Sequence, residues 1–285
     1  MNKRPGGPAG PSRVALVTGC STGIGRASAA ALQRAGLVTY ATARRTGSLA
    51  ELEAAGCRIL ELDVTDEVSC GKAVAALERE QGRLDVLVNN AGYAEYGPVE
   101  EVSLDRWRRG LETNLLGAVR LIQLALPGMR ERRTGRIVNI SSMGGRMALP
   151  LGAPYHAGKF ALEAMSDVLR FEVADFGIDV VLIEPGPIAT GYADTASHGL
   201  HEAAEGPYGD LARSFLAAMA SSYGGRRVAK PERVADVVVR AATARRPRTR
   251  YPVTLQARLL MTARAVLPDR MWDAALGRVL RRPRS

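Results

Sequence analysis

Short runs that are nearly continuous in Val, Ile and Leu alternate with longer stretches rich in Ala, Leu and Glu along most of the chain. Short runs that are apolar on both faces are typical of strands in a buried parallel sheet. The pattern predicts six such strands, at Arg13–Val17, Leu37–Ala43, Arg58–Leu62, Leu84–Val88, Arg136–Ile140 and Asp179–Ile183. A further segment, Arg250–Thr254, suits a strand at the sheet edge, because Pro252 is tolerated there.

The stretches between these strands are long enough for helices that cross from one strand to the next. The predicted helices are Gly25–Ala35, Ser48–Ala55, Glu67–Gln81, Asp105–Arg130 and Ala157–Phe176. Repeated alternation of strand and helix predicts a single-domain α/β fold. We expect a Rossmann-type, doubly wound parallel sheet of about seven strands, flanked by helices on both faces.

Length and composition favour one folded domain. The 285 residues are 46% hydrophobic and 24% charged, which excludes a disordered chain and allows a sizeable core. No linker rich in Pro, Gly or Ser divides the interior. We therefore expect a flexible arm over residues 1–12, the α/β domain over residues 13–254, and a basic helical extension over residues 255–285.

Cysteine usage and the lack of apolar segments indicate a cytoplasmic protein. Cys20, Cys57 and Cys70 are odd in number and have no CxxC spacing, which is typical of reduced thiols. The first dozen residues lack the apolar region of a signal peptide, and no apolar run of about 18 residues occurs. His198 and His201 lack a third ligand, so no metal site is expected.

The net charge of +10 is concentrated at one end of the chain. Residues 226–285 hold 16 Arg and Lys against 4 Asp and Glu, whereas the rest holds 23 basic and 25 acidic side chains. A near-neutral domain followed by a basic end argues against a wholly cationic nucleic-acid-binding protein.

A glycine-rich loop follows the first predicted strand directly. Its sequence is Thr18-Gly19-Cys20-Ser21-Thr22-Gly23-Ile24-Gly25, and an Ala-rich helix comes next. Glycines spaced GxxxGxG let the backbone turn tightly and approach a diphosphate at a helix N-terminus. The position after strand one predicts a dinucleotide-binding loop rather than a purely structural turn.

With this loop, three further motifs make the chain resemble the classical short-chain dehydrogenase/reductase family over about residues 12 to 255. The four matching pieces are Thr18–Gly25, Asn89-Asn90-Ala91-Gly92, the pair Tyr155 and Lys159, and Pro185-Gly186. Within this region, Gly135–Met165 is most similar to steroid and retinol dehydrogenases of the 17β-hydroxysteroid type.

The resemblance implies four catalytic residues. They are Asn114, Ser142, Tyr155 and Lys159. Tyr155 would be the acid/base, and Lys159, four residues on, would lie on the same helix face, where its ammonium favours the phenolate. Ser142, thirteen residues before Tyr155, would polarise the substrate carbonyl. Asn114 would hold a water that links Lys159 to solvent, although a purely packed polar residue is the alternative.

The resemblance also implies a nicotinamide cofactor. The residues expected to hold it are Gly19, Ser21, Thr22, Gly23, Ile24, Gly25, Arg44, Asp63, Val64, Asn90, Ala91, Gly92, Tyr155, Lys159, Pro185, Gly186, Ile188 and Thr190. An acidic residue that would bind the ribose hydroxyl of NAD is missing at the end of strand two, where Arg44 stands instead. NADP(H) is therefore the preferred cofactor, with NAD(H) as the second choice. The alternatives are that Arg44 only solvates a loop and that Asp63 only forms a turn.

The expected substrate is a lipophilic ketone or secondary alcohol that resembles a steroid, a retinoid or a polyketide. A loop-like lid over about residues 191–225 carries several aromatic side chains and would close over the nicotinamide. The residues expected to contact substrate are Ser142, Met143, Met147, Leu149, Tyr155 and Tyr192. Together these features predict an NADP(H)-dependent carbonyl reductase or alcohol dehydrogenase.

The basic extension leaves three partners to consider. Leu255, Leu259, Val266, Met271 and Val279 recur at helical spacing, with arginines on other faces. We expect a cap packed on the domain or on a second subunit of a homodimer or homotetramer. The alternative is peripheral contact with an anionic membrane. The basic end is also the only support for the competing function, a catalytically silent NADP(H)-binding regulatory or nucleic-acid-associated module.

Overall fold

A computed structural model describes residues 12–224 and 228–280, with the side chains of residues 192–194 also outside its description. It contains one parallel sheet of seven strands in the order β3-β2-β1-β4-β5-β6-β7. The strands are β1 Val14–Val17, β2 Val38–Ala43, β3 Arg58–Glu61, β4 Val86–Asn89, β5 Gly135–Ile140, β6 Ile178–Glu184 and β7 Arg250–Pro252. The predicted single-domain, doubly wound fold is confirmed.

Eleven α-helices connect and cover these strands within the described residues. They are α1 Gly23–Arg34, α2 Ala50–Ala54, α3 Glu67–Gln81, α4 Leu104–Leu111, α5 Gly117–Glu131, α6 Ala153–Glu172, α7 Tyr192–Ala204, α8 Gly209–Tyr223, α9 Pro231–Thr243, α10 Leu255–Val266 and α11 Asp269–Leu280. Short 3₁₀ turns lie at Thr46–Leu49, Met143–Gly145 and Ala174–Phe176. In the described ranges, no helix is long and apolar enough to cross a membrane.

The two faces of the sheet carry separate apolar clusters. Ala15 and Val17 pack in a cluster that also contains residues of α1 and α9. Val14 and Leu16, which alternate with them along β1, pack in the other cluster with residues of α3 and α5. Because both faces are buried in this way, the strands are continuous apolar runs in the sequence.

Strand order reverses next to β1, which pairs with β2 on one side and with β4 on the other. The chain runs from β1 to β2 and β3 on one side of β1 and then returns to β4 on its other side. A crevice opens there beyond the carboxyl ends of the strands, and ligands of open α/β sheets bind in such a crevice. The glycine loop and the Asn90 segment both begin at this edge.

One predicted helix is modified and one predicted loop is wrong. The helix predicted over Asp105–Arg130 is present as α4 and α5, with a π-helical turn, Glu112–Leu116, between them. The segment 191–225, expected to be loop-like, forms helices α7 and α8 over most of its length. Ala196, Leu200 and Phe215 of these helices are buried in a third apolar cluster, and this burial outweighs the helix-weakening effect of the glycines.

Parts of the predicted domain division lie at the limits of the described residues. Residues 1–11 and 281–285, at the ends of the expected arm and extension, are outside them. The extension begins with α10 and α11, which are separated near Pro268. Trp272 and Leu280 of α11 are buried, so part of the extension packs on the domain.

Arg250 connects the edge strand β7 to its neighbours. Its guanidinium lies 3.0 Å from Glu163 and 2.7 Å from Asp167, both on α6, and 3.4 Å from Glu184 at the end of β6. Arg146, which follows the 3₁₀ turn after β5, also lies 3.4 Å from Glu184. Burial, together with repulsion from Glu163, raises the pKa of Glu184 to about 7 although the two arginines oppose this.

A substitution of Glu184 tests this buried charge. The raised pKa means that the folded protein holds the proton of Glu184 more tightly than the unfolded chain, in which the pKa of a glutamate is about 4.3. The free energy of unfolding contributed by Glu184 therefore falls as pH rises from there towards about 7. Between about pH 5 and about pH 8, we expect the wild type to lose stability relative to Glu184→Gln in urea denaturation. The exposed Glu172→Gln is the control, and a wild-type-to-E184Q difference that stays constant with pH would contradict the assignment.

Candidate active site

The glycine loop is built from backbone positions that exclude other residues. Gly19 and Gly23 have φ angles of +69° and +57°, which side chains rarely adopt. A Cβ atom on Gly25 would lie 2.2 Å from the carbonyl oxygen of Gly19, so the loop closes only with glycine there. The sequence motif is therefore a steric requirement of the turn between β1 and α1.

Asn90 and Thr18 join this loop to the end of β4. The side-chain amide of Asn90 donates to the carbonyl oxygens of Thr18 at 2.8 Å and Gly19 at 3.2 Å. In return, the Thr18 hydroxyl accepts from the backbone N–H groups of Asn90 and Ala91, both at 2.9 Å. These bonds set the edge of the crevice at the strand reversal.

The loop and the start of α1 fit a diphosphate. Thr22 is the N-cap residue of α1, and its side chain forms no capping bond to the first amides of the helix. Helix N-terminal N–H groups with a positive dipole end attract anions. Ser21 and Ile24 complete this loop, in which a side chain at Gly25 would fill the space that the turn needs. The residues present thus fit the phosphates of a dinucleotide.

Cations follow β2 directly. Arg44 and Arg45 are exposed there, and the sequence has no acidic residue between the end of β2 and Glu51. Arg26, which the sequence argument missed, donates to the carbonyl oxygens of Ser21 and of Ser48, the latter at 2.9 Å. It links the glycine loop to the 3₁₀ turn after β2, and it also forms an ion pair with Glu51 of α2 at 3.0 Å.

Asp63 and Val64 follow β3 at the same edge of the sheet. One carboxylate oxygen of Asp63 accepts from the backbone N–H and the hydroxyl of Thr65, at 2.9 and 2.8 Å. Asp63 thus forms a turn, as the alternative interpretation held, and its contact with adenine stays a prediction. Val64 packs against Gly117, where a Cβ atom would lie 2.8 Å from it.

The segment after β6 lies beside the glycine loop. A Cβ atom on Gly23 would lie 3.1 Å from the Thr190 methyl group. Pro185 accepts from the backbone N–H of Met143 at 2.8 Å, and buried Ile188 pairs with Ala229. Gly186 approaches Thr254 closely, since a Cβ atom there would lie 2.4 Å from its hydroxyl. The structure therefore brings this segment, the glycine loop and the end of β5 together.

Lys159 is buried under the site. Its ammonium donates to the carbonyl oxygen of Ile140, the last residue of β5, at 2.8 Å. Burial lowers the pKa of Lys159 to about 8, and the nearby Glu163 carboxylate opposes the change. The pKa of Lys159 therefore lies only slightly above neutral pH. The ammonium group is bonded to the end of a central strand.

Asn114 reaches the site through the π-helical turn. Its side-chain amide donates to the carbonyl oxygen of Tyr93 at 3.0 Å and accepts from the Tyr93 N–H at 3.2 Å. A Cβ atom on Gly92 would lie 2.6 Å from the Asn114 oxygen and 3.6 Å from the Lys159 nitrogen, so these two groups flank Gly92. A cavity of about 10 Å³ lined by Asn114 and Lys159 has room for about one water molecule.

Ser142 and Tyr155 meet at the wall of a much larger cavity. The Ser142 hydroxyl accepts from the backbone N–H of Gly144 at 3.0 Å, which directs its own proton elsewhere. Tyr155 stacks on Tyr96 with ring centroids 6.0 Å apart. Ser141 also borders this cavity, and its side chain is buried near Glu163 and Gly145.

This cavity has a volume of about 400 Å³ and is lined chiefly by apolar side chains. Of the residues predicted to contact substrate, those that line it are Ser142, Met143, Met147, Leu149 and Tyr155. The side chain of Tyr192, the sixth, lies outside the described residues. Helices α8, α10 and α11 add Met219, Leu260, Trp272 and Leu276 to the wall. Sequence reasoning missed these four as wall residues.

His156 holds two parts of the cavity wall together. One ring nitrogen, Nδ1, lies 2.8 Å from the carbonyl oxygen of Gly144, and Nε2 accepts from the Leu149 N–H at 3.1 Å. Burial lowers the pKa of His156, which favours the neutral ring that this bonding needs. His156 is thus part of the wall of the cavity.

A second missed feature is a buried polar chain that connects β4, β5 and α6. Asn89 donates to Asn139 at 2.9 Å, Asn139 donates to Ser166 at 2.8 Å, and Ser166 donates to the Leu162 carbonyl at 2.7 Å. Buried amides need such partners. This chain fixes α6, and with it Tyr155 and Lys159, against the central strands.

The contact between Gly92 and Asn114 can be tested by adding one methyl group. Because Asn114 is held by both backbone groups of Tyr93, we expect Gly92→Ala to lower the free energy of unfolding by about 1–3 kcal/mol. Gly71→Ala on α3 is the control, since a Cβ atom there meets nothing within 4 Å. Urea denaturation measures both, and equal stability of the two variants would show that Gly92 is not sterically constrained.

Comparison with known proteins places the chain among oxidoreductases. The profile described as short chain dehydrogenase matches residues 13–200. A 3-ketodihydrosphingosine reductase from Bacteroides thetaiotaomicron is 34% identical over 267 residues, which cover 93% of this chain and 96% of that protein. An NADPH-dependent 3-dehydrocapnine reductase from Ornithobacterium rhinotracheale is 34% identical over 271 residues, 92% of this chain and 95% of that protein.

A solved structure is similar in the same way. A variant of an actinorhodin polyketide ketoreductase, crystallised with NADPH, matches with a TM-score of 0.73 and 32% identity over 85% of this chain and 95% of that chain. The name of this ketoreductase and the names of the two reductases above mention neither a steroid nor a retinoid. Membership of the 17β-hydroxysteroid and retinol dehydrogenase subgroup is therefore not confirmed. The matched profile, the seven-stranded sheet and the full-length relatives show that the chain is an NAD(P)-binding oxidoreductase of the short-chain dehydrogenase family.

Proposed function

We propose that the chain is an NADP(H)-dependent carbonyl reductase, or alcohol dehydrogenase, that acts on lipophilic ketones or secondary alcohols. The observation that carries this proposal is the position of Ser142 and Tyr155 on the wall of the apolar cavity of about 400 Å³. A cavity of this size is in the range of small-molecule sites. Ser142 and Tyr155 place hydroxyl groups on a wall that is chiefly apolar, which favours a substrate with a reacting oxygen on a lipophilic body.

The bound nicotinamide would supply or accept a hydride, and the residues of the chain would handle the oxygen and its proton. The Ser142 hydroxyl, which accepts from Gly144, keeps its own proton to donate to a carbonyl oxygen. Tyr155 would give a proton to that oxygen in reduction and remove one in oxidation. Lys159, one helical turn beyond Tyr155, carries a buried positive charge that favours the phenolate.

Asn114 and the water-sized cavity next to it give Lys159 a route towards other polar groups. Proton transfer through a water requires two or more polar partners, and Asn114 and Lys159 supply them. In this proposal, Asn114 and Lys159 belong to a proton path that ends at Tyr155, and Ser142 polarises the substrate oxygen that Tyr155 protonates. Helices α7 and α8 would act as the lid over about residues 191–225.

Removal of the Tyr155 hydroxyl tests the chemistry. A panel of steroid, retinoid and long-chain aliphatic ketones, each tried with NADPH and NADH, would first supply the substrate. With the best ketone, we expect Tyr155→Phe to retain cofactor affinity, measured by NADPH fluorescence, while kcat falls by about 10²- to 10⁴-fold. Tyr208→Phe, outside the cavity lining, is the matched control. Turnover by Tyr155→Phe at the wild-type rate would refute the assignment of the acid/base.

We also propose that the preference for NADP(H) over NAD(H) depends on Arg44. The exposed cations after β2 and the lack of a carboxylate there support this choice, as does the NADPH dependence of one relative. A charge-assisted hydrogen bond contributes about 1.5–3 kcal/mol, and a 2′-phosphate would receive it from Arg44.

Replacement of this arginine gives a measurable change in selectivity. We expect Arg44→Ala to raise the KM for NADPH by about tenfold or more, and to leave the KM for NADH nearly unchanged. Steady-state kinetics with both cofactors measures the ratio. Arg34→Ala, which removes an exposed arginine from the far end of α1, is the control. An equal effect of Arg44→Ala on the KM values for both cofactors would show that Arg44 does not bind the 2′-phosphate.

Self-association as a homodimer or homotetramer is the proposed assembly. The outer face of α6 exposes Phe160, Val168 and Phe171, the last with 80% of its surface accessible. Residues at these spacings share one side of a helix. Exposed apolar side chains grouped on one helix support an interface between copies.

A further inference from the structure

Helices α10 and α11 expose large apolar side chains at the surface of the domain. Five of their large side chains are between 57% and 73% exposed, and we call them the apolar stripe. The stripe consists of Leu255, Leu259 and Val266 on α10 and of Met271 and Val279 on α11. These are the side chains that the sequence pattern suggested for packing on the domain, and the structure turns them outwards.

The stripe is a feature of helix geometry and not of scattered residues. Leu255, Leu259 and Val266 are four and seven positions apart, which places them within about 40° of one another around α10. Ala257, on the opposite side of α10, is fully buried. On α11, Met271 and Val279 are eight positions apart, about 80° around the helix, and Val279 lies at the edge of the side that carries the buried Trp272. Helix α10 is therefore apolar on two sides, although only one side packs on the domain, and α11 adds two exposed apolar side chains next to its packed side.

Exposed arginines border the stripe, and their charge distinguishes between the partners that could cover it. Arg258, Arg270 and Arg278 are exposed on the same two helices. Asp269, one of the two acidic residues there, lies 2.7 Å from Arg264. A second copy of this face would bring arginines against arginines, which is unfavourable. An anionic lipid surface accepts both the apolar side chains and the positive charge.

The stripe also adjoins the entrance of the large cavity. Leu260, Leu276 and Leu280 of the two helices line the cavity. Val279 lines it as well, yet it is 72% exposed, so it lies where the cavity meets the surface. A lipophilic compound dissolved in a bilayer would reach the cavity there without crossing water.

From this arrangement we propose that α10 and α11 lie on the surface of an anionic membrane, with the apolar stripe in the lipid interface. The route of the ketone past Val279 rests on the proposed function, whereas the membrane contact does not. An amphipathic helix of this kind lies in the plane of the interface and does not span the bilayer.

Vesicle flotation of the full chain, without cofactor or ketone, tests the membrane contact. We expect the chain to float with vesicles of phosphatidylcholine and phosphatidylglycerol, to float poorly with phosphatidylcholine alone, and to be released by salt. Arg258→Gln should lower the partition coefficient by about fivefold, the effect of one basic residue near an anionic surface. No flotation with anionic vesicles would overturn the proposal.

A triple substitution separates the stripe from general surface hydrophobicity. We expect Leu255→Ser, Leu259→Ser and Val266→Ser together to abolish flotation, and circular dichroism to show that the fold is kept, since all three are exposed. The matched control is Val68→Ser, Val99→Ser and Leu104→Ser, which removes three similarly exposed apolar side chains elsewhere. Equal loss in both variants, or in neither, would count against the stripe.

Analytical ultracentrifugation of the same variants tests whether a second copy of the chain, instead of a membrane, covers the stripe. If the stripe variant, unlike the control, changed from an oligomer to a smaller species, the stripe would be an interface between copies and the membrane proposal would be wrong. Flotation of a chain that reduces no ketone would instead leave the membrane contact standing and refute the proposed function.

Discussion

The ammonium group of Lys159 is the constraint to which the other parts of the site adjust. A buried charge is unfavourable unless it is hydrogen-bonded, and Lys159 is bonded to the last carbonyl of β5. That bond holds α6, which carries Lys159, in a fixed position relative to the end of β5. Tyr155, on the same helix, is thereby placed at the cavity wall. The close approach of Asn114 and Gly92 then follows, because any larger side chain at position 92 would meet the amide oxygen.

Much of the sheet and of the inner site could be predicted because both depend on local sequence rules. A strand buried on both faces must be apolar throughout, so six runs of Val, Ile and Leu indicated six strands of the sheet within one or two residues of their observed bounds. Glycines that tolerate no Cβ atom marked the loop after β1. Ser142 and Tyr155 lie together because each belongs to a segment that begins at the carboxyl edge of the sheet.

The parts that could not be predicted depend on contacts between distant segments. One extra residue in the π turn at Glu112–Leu116 directs Asn114 towards Tyr93, and the sequence of that helix has no signal for the change. Helices α7 and α8 form because Leu200 and Phe215 find a buried surface next to Tyr96. The apolar periodicity of α10 and α11 indicated helices, but a helix with two apolar sides, such as α10, does not reveal which side packs inwards.

Different elements hold the inner site and form the outer wall of the cavity, and this separation affects substrate choice. The sheet and α6 hold the proposed reacting groups Ser142, Tyr155 and Lys159, whereas α8, α10 and α11 supply much of the cavity wall. Changes in those outer helices can therefore alter the shape of the cavity without moving the acid/base or its supporting charge. Because α10 and α11 also carry the stripe, the proposed membrane contact would make these two helices both part of the cavity wall and the surface from which the substrate enters.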